Sequence, residues 1–147
     1  MKISTGSDHR GLHQRKIIGQ ALADLGHDWV DLGTMTEESC DYPDIAKKLG
    51  QSVASGETPM GILVCGTGIG MSIAANKVRG VRAALCVDEQ TAELSRKHND
   101  ANVMCLPGDN FDDDQLRSMV KVWLSSEFEG GRHARRLGKV AEMEADF

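Results

Sequence analysis

The stretch VCGTGIGMS, residues 64–72, places a thiol directly before a glycine-rich turn. Glycines at 66, 68 and 70 let backbone N–H groups approach a ligand closely, and the helix that follows points its positive end the same way. The pattern predicts an anion site, and the same helix end would stabilise the thiolate of Cys65. A thiolate beside such donors suits either attack on a carbonyl or removal of a proton next to one, because both reactions develop an oxyanion.

Two other readings of these glycines stay open from the residues alone. A dinucleotide site would use Asp88 as the ribose-binding acid, but the spacing G-x-G-x-G and the position after the third strand do not match that fingerprint. A turn kept glycine-rich only for tight packing would need no ligand. A nucleotide-binding module and a cysteine hydrolase therefore remain alternatives to a proton-transfer enzyme.

Two later stretches carry groups that could complete such chemistry. SRKHNDAN supplies His98, a side chain able to move protons near neutral pH, followed by Asn99. EGGRHARR puts Arg132 and Arg136 on one face of a helix start, where positive charge is mildly unfavourable unless an anion binds. Guanidinium forks match phosphate oxygens, so this segment predicts a phosphate site. A structural His98 and a solvated basic turn remain the alternatives.

Composition limits the classes of partner. The chain has 147 residues and a formal net charge of -5, which gives no general support for nucleic-acid binding. No apolar run approaches the length of a membrane span, and the N-terminus lacks a signal-peptide pattern, so we expect a cytoplasmic protein that does not enter a membrane. None of the four cysteines forms a C-x-x-C pair and no histidine spacing completes a zinc pattern, so no metal is expected. We expect Cys86 and Cys105 to be buried, reduced thiols.

Strand-length apolar runs alternate with helical patterns along the whole chain. The predicted strands are 2–5, 28–32, 61–64, 83–87 and 103–106. The predicted helices are 12–25, 42–53, 71–78, 88–98 (with Asp88 as N-cap), a fifth around 116–124 and a last one from Arg132. This alternation predicts one α/β domain over residues 1–147, a three-layer Rossmann-like (flavodoxin-like) five-stranded parallel sheet with helices on both faces plus a C-terminal helix.

In such folds a ligand lies beyond the carboxyl ends of the strands. That edge would gather segments that follow each of the five strands. They are Asp8 with His9, the 32–42 loop, the 65–70 turn, Asp88 and residues 107–110.

Five ordered motifs resemble those of the type B ribose-5-phosphate isomerases, the family that also holds galactose-6-phosphate isomerase subunits. They are GSDHRG (6–11), DYP (41–43), VCGTGIGMSIAANK (64–77), SRKHNDANV (95–103) and EGGRH (129–133). The resemblance implies an aldose–ketose isomerase without metal or redox cofactor. Its expected reaction converts ribose 5-phosphate to ribulose 5-phosphate through an enediolate.

Carried over by position, the resemblance makes Cys65 the base that shuttles a proton between C1 and C2. Thr67 would lie close to the reacting carbons. His98 would help to open the sugar ring, with Asp8 nearby. The intermediate would be held by the backbone of Gly66, Gly68, Ile69 and Gly70.

The substrate contacts come from the same resemblance. Tyr42 and Asn99 would bind sugar hydroxyls, and His9, Arg132 and Arg136 would hold the phosphate. Members of the family are dimers or tetramers with sites between subunits. His98 would therefore serve Cys65 of the partner subunit.

The chain departs from the family pattern at two positions. The arginine that usually follows strand five is matched by Asp109, and Arg10 replaces the small residue of the SDHxG motif. An acid at position 109 would repel phosphate, which leaves a tetrose, hexose or deoxy-sugar phosphate open as the substrate. We hypothesise that Arg10 restores the missing charge.

Overall fold

Five parallel strands form the centre of the molecule in the computed structural model, which describes residues 1–147. They are β1 (Lys2–Ser7), β2 (Asp28–Asp31), β3 (Met60–Cys65), β4 (Ala83–Leu85) and β5 (Val103–Pro107), in the order β2-β1-β3-β5-β4. Helices cover both faces, which confirms the Rossmann-like parallel sheet.

Six helices connect or follow the strands. They are α1 (Leu12–Asp24), α2 (Tyr42–Ala54), α3 (Ile69–Ala75), α4 (Glu89–Asn99), α5 (Asp113–Ser125) and α6 (Arg132–Ala145). Helices α1, α4 and α5 share one apolar cluster with the sheet, and α2 and α3 share the other. Helix α6 lies against α4. None of the helices has the length and apolar character that crossing a membrane requires.

Strand β3 shows how an apolar run without alternation serves both layers. All six of its residues are buried. Ile62 and Val64 belong to the α1–α4–α5 cluster, whereas Leu63 and Cys65 belong to the α2–α3 cluster. Since successive side chains of a strand point to opposite faces, Cys65 ends on the side of α2 and α3.

The order of the last two strands could not be read from the pattern, and it decides which loops meet. Strand β5 lies beside β3 with Cys65 paired to Pro107, while β4 is at the edge. In the flavodoxin order, 2-1-3-4-5, these two strands are exchanged. The loop that carries Asp109 therefore lies next to the thiol turn, and Asp88 lies further away.

Local chemistry sets the helix starts. The carboxylate of Asp88 accepts the Thr91 N–H at 2.7 Å, which confirms it as the N-cap of α4. The carboxylate of Asp112 caps α5 in the same way through Gln115. Helix α3 begins at Ile69, two residues before the predicted start, because Gly68 adopts φ +75 and turns the chain directly into the helix.

Candidate active site

The thiol turn, residues 65–70, folds back onto its own cysteine. Cys65 is 6% exposed, and its Sγ accepts a hydrogen bond from the Gly68 N–H at 3.1 Å. A donor aimed at sulfur favours negative charge on that atom. A Cβ at position 68 would lie 2.6 Å from Leu85 Cδ1 and 3.0 Å from the Leu106 carbonyl carbon. Position 68 therefore requires glycine both for its positive φ and for space.

Donors continue along the turn into α3. The Thr67 Oγ1 accepts the Ile69 N–H at 3.3 Å, and the first helical hydrogen bond runs from the Ser72 N–H to the Gly68 carbonyl. The N–H groups of Gly70 and Met71 precede that bond and have no acceptor inside the helix. The turn thus gives the sulfur one backbone donor and leaves two further N–H groups free at the start of α3, and the anion site stays a prediction.

Two side chains close over the other glycines. A Cβ at position 66 would lie 2.5 Å from Arg10 Cζ, and one at position 70 would lie 2.7 Å from Tyr42 Cζ. Arg10 and Tyr42 therefore rest directly on the backbone of the turn. The tyrosine keeps 40% of its surface exposed, so its hydroxyl end can reach a ligand.

The end of β1 supplies an acid and an imidazole. Strand β1 pairs with β3 through Ser7 and Val64, so Asp8 follows β1 at the same edge as Cys65. Asp8 is 6% exposed and accepts the Arg10 N–H at 3.0 Å. His9 Nδ1 accepts the Cys40 N–H at 3.2 Å, so the proton of a neutral ring lies on Nε2, which is then a donor.

Arg10 reaches the predicted edge, but its charge is already paired. Its guanidinium donates to the carboxylate of Asp109, and both side chains are about half exposed. The Asp109 N–H also donates to the Gly66 carbonyl at 3.2 Å. The pair therefore braces the thiol turn from the β5 side, a contact that depends on the observed strand order.

Two further thiols, Cys86 just after β4 and Cys105 within β5, were predicted to be structural. Burial raises the pKa of Cys86 to about 11, and burial raises the pKa of Cys105 well above its usual value. Both side chains are fully buried. Neither thiol is suited to act as a base near neutral pH, in agreement with their predicted structural role.

A second group of predicted residues lies at the opposite edge of the sheet. His98 stacks on His133 with ring centroids 4.2 Å apart and an angle of 10° between the planes. Glu129 Oε2 lies 3.9 Å from His98 Nε2 and 3.6 Å from His133 Nε2. Burial, with smaller contributions from His98 and Arg132, lowers the pKa of His133. We call His98, Glu129 and His133 the amino-edge cluster.

The two groups do not meet within one chain. Helix α4 ends at Asn99, and three residues separate it from the amino end of β5, whereas Cys65 pairs with Pro107 at the carboxyl end of β5. Five residues at about 3.3 Å each separate these ends by about 16 Å. Asn99, Arg132 and Arg136 belong to the amino edge with His98, and all three are exposed.

Sequence reasoning missed Glu129 and His133 as partners of His98. They are four residues apart, with Glu129 in the irregular segment before α6 and His133 in its first turn, and the Glu129 N–H donates to the Lys97 carbonyl at 3.0 Å. The E-x-x-x-H spacing was the available signal. Its meaning depends on α6 packing against the end of α4, which no local pattern reveals.

Comparison with known proteins agrees with the motifs. Residues 3–140 match a family model described as ribose/galactose isomerase. The ribose-5-phosphate isomerase B of Escherichia coli is 41% identical over 97% of this chain and 96% of its own length. A Clostridium thermocellum ribose-5-phosphate isomerase B structure superposes with a TM-score of 0.97 at 47% identity, covering 99% of each chain. The structure of a Mycoplasma genitalium ribose-5-phosphate isomerase B with bound ribulose-5-phosphate superposes with a TM-score of 0.94 at 42% identity. It covers 99% of this chain and 97% of that one.

Proposed function

This chain belongs to the ribose/galactose isomerase family, and we propose that it interconverts ribose 5-phosphate and ribulose 5-phosphate as an aldose–ketose isomerase. The observation that carries the proposed mechanism is the thiol turn. Cys65 Sγ, 3.1 Å from a backbone donor, lies beside a run of N–H groups at the start of α3. A base and an oxyanion site are thus combined in six residues.

The reaction begins with opening of the furanose ring. His98 transfers the proton that ring opening requires, and Asp8 lies beside the sugar on the Cys65 side. Tyr42 and Asn99 hold sugar hydroxyl groups. An exposed Asn99 and a Tyr42 ring seated on Gly70 are both consistent with contacts to a polar ligand.

Isomerisation then moves one proton along one face of the open chain. The Cys65 thiolate takes the proton from C2, and the electron pair of that bond forms the enediolate with the negative charge on O1. The thiol returns the proton to C1, while the hydroxyl proton on O2 passes to O1 and leaves the C2 ketone. The N–H groups of the thiol turn stabilise the oxyanion, and Thr67 lies next to the reacting carbons; one such donor is worth about 3 kcal/mol.

Phosphate recognition supplies binding energy away from the reacting carbons. His9 Nε2, Arg132 and Arg136 are the proposed contacts. The two arginines are exposed and make no ion pair, so both guanidinium groups are available. Because Arg10 is paired with Asp109, its contribution to phosphate binding is weaker than that of an unpaired arginine.

We further propose that each site is built from two chains, with His98 of the partner subunit facing Cys65. The separation of about 16 Å along β5 between the two edges argues against a site within one chain. Two apolar faces have no cover: Ile69 and Ile73 on α3, and Val140 and Met143 on α6, are each 49–65% exposed. An apolar groove of about 730 Å³ beside α6 includes Asn99 but not Cys65. These surfaces suit a second copy of this chain.

The acid at position 109 keeps the choice of sugar open within the class. The test is to incubate the metal-free protein with four-, five- and six-carbon aldose phosphates in D₂O and to follow ketose formation and deuterium uptake at C2. We expect turnover fastest with ribose 5-phosphate. Faster turnover of a hexose or tetrose phosphate would make that sugar the preferred substrate within the same class. If no sugar phosphate yielded a ketose, the proposal would be contradicted. A cytoplasmic location remains our prediction.

A further inference from the structure

Arg15, near the start of α1, is the only buried arginine of the chain, and it has no part in the proposed mechanism. Its Nε lies 2.9 and 3.0 Å from the two carboxylate oxygens of Asp31, at the end of β2. Nη1 donates to Ser7 Oγ at 2.6 Å, at the end of β1, and Nη2 donates to the Thr34 carbonyl. The guanidinium therefore joins two strand ends and the loop between β2 and α2.

Gly33 lies against this guanidinium and leaves room for it. A Cβ at position 33 would lie 2.7 Å from Arg15 Cζ and 2.8 Å from the Ser7 backbone nitrogen, closer than such atoms can approach. The φ of Gly33 is not positive, so its backbone conformation does not itself require glycine. Space for the arginine is what requires glycine here, and the loop is built around the buried charge.

The loop between β2 and α2 connects Arg15 to His9. At its start, the Thr34 N–H donates to the Ser7 carbonyl at 3.3 Å. At its end, the Cys40 N–H donates to His9 Nδ1 at 3.2 Å. His9 also follows Ser7 by two residues. Arg15 therefore contacts both the strand end that leads into His9 and the loop that fixes the His9 ring.

We propose that Arg15 is a positioning residue for phosphate binding, and that it acts by holding His9 with the proton on Nε2. This role rests on the phosphate contact proposed for His9. While Nδ1 accepts the Cys40 N–H, a neutral ring carries its proton on Nε2, the atom that can donate to a phosphate oxygen. All three guanidinium nitrogens of Arg15 donate within the chain, so Arg15 is not itself a phosphate ligand.

The His9 ring is tested first, without sugar phosphate. Protein labelled with ¹⁵N is followed by long-range ¹H–¹⁵N NMR near about pH 8, where an ordinary imidazole is neutral. We expect the Nε2–H form of His9 in the wild type and an average of both tautomers in Arg15→Met and Gly33→Ala. Arg15→Lys keeps a charge and should retain part of the wild-type signal. Arg117→Met is the matched control, because Arg117 also pairs with an acid of α1, Asp24, at 3.2 Å but on the surface.

Phosphate binding is tested next, with ribose 5-phosphate as substrate and inorganic phosphate as inhibitor. Arg15→Met and Gly33→Ala should raise KM and the inhibition constant about fivefold, the effect of one lost hydrogen bond, with kcat changed less than twofold. In a His9→Asn background they should have little further effect, because residues that act through one another are not additive. Thr58→Val controls for lost stability: it removes a buried hydroxyl that donates to Ser4 Oγ at 3.0 Å, and its KM should not change.

The outcomes separate this role from the function on which it rests. An unchanged His9 tautomer in Arg15→Met and Gly33→Ala would overturn the positioning, as would an equal rise in KM in Thr58→Val or in the His9→Asn background. A changed tautomer with unchanged phosphate inhibition would overturn the link to phosphate, and the error would then lie in the role of His9. Calorimetric binding of inorganic phosphate makes the same comparison without turnover, so a lack of isomerase activity is distinguished from a failure of the positioning.

Discussion

The carboxyl and amino edges of the sheet hold the two groups of proposed site residues, and the two edges are built differently. At the carboxyl edge, Cys65 and Asp8 are each 6% exposed, and the backbone around them is held by hydrogen bonds. At the amino edge, His98 is about a third exposed and Arg132 and Arg136 face solvent. The groups of the first edge are buried and hydrogen-bonded, whereas the second edge presents charged and polar groups to solvent.

This difference supports our proposal that neither edge is a complete site by itself. The carboxyl edge has the proposed base and oxyanion donors, but its guanidinium groups, Arg10 and the buried Arg15, are both paired with acids. The amino edge has unpaired cations and a proton carrier but no thiol. A sugar phosphate needs both sets of groups. Pairing the edges across two subunits supplies them together, and the predictions below test that pairing from the largest effect to the smallest.

Removing the sulfur tests the carboxyl edge. Cys65→Ala should lower kcat by roughly 10²- to 10⁴-fold, because a positioned base contributes about that much. Steady-state kinetics with ribose 5-phosphate measure the loss. Cys86→Ala is the matched control: it removes a fully buried thiol whose pKa is raised to about 11, so stability falls and kcat stays within about twofold. Equal losses in the two variants would remove Cys65 from the mechanism.

Separating the subunits tests the pairing. Val140→Asp places a charge on the exposed apolar face of α6, so the proposed dimer should dissociate while both edges stay intact. We expect at least a tenfold loss of specific activity at low protein concentration, with partial recovery as the concentration rises. Activity and sedimentation are measured on the same samples. A fully active monomer would contradict the two-chain site.

Distorting the thiol turn should have an intermediate effect. Gly68→Ala brings a Cβ into φ +75 and against Leu85, so we expect about 1–2 kcal/mol of lost stability. The displaced N–H should also lower kcat about tenfold. Gly26→Ala is the control with the same strain, because φ is +81 there and nothing lies within 4 Å of the added carbon. Its kcat should not change; chemical denaturation and kinetics separate the two effects.

The smallest effects concern the Arg10–Asp109 pair. Arg10→Ala leaves an unpaired acid beside the turn, so the KM for the sugar phosphate should rise about two- to fivefold. Asp109→Asn frees the guanidinium and should lower KM by a similar factor. Changes of the same sign, or an unchanged KM in Arg10→Ala, would end the hypothesis that Arg10 replaces the missing arginine.

Much of this arrangement was predictable from local chemistry. The buried run of β3, the Asp88 cap and the glycine at position 68 each satisfy a rule that acts over a few residues. The order of β4 and β5 was not predictable, since both are short apolar strands and only the packing of their crossovers fixes their places. The contact of Arg10 with Asp109 depends on that order, so it could not be predicted from the sequence either.

The amino-edge cluster could not be predicted from the sequence for a related reason. His98 ends one helix and His133 begins another, and the irregular segment between α5 and α6 sets their stacking. The sequence gives the i, i+4 spacing of Glu129 and His133 but not the helix against which they pack. The resemblance supplied a role for His98, and the structure adds its neighbours.

A mixed dimer tests the central claim most directly. Cys65→Ala and His98→Asn chains are co-expressed with different tags, and the heterodimer is isolated by tandem purification. If each site takes Cys65 from one chain and His98 from the other, the heterodimer holds one intact site and should show about half the wild-type activity. If both groups act within one chain, no intact site exists, and activity no higher than that of the two parent variants would contradict the account.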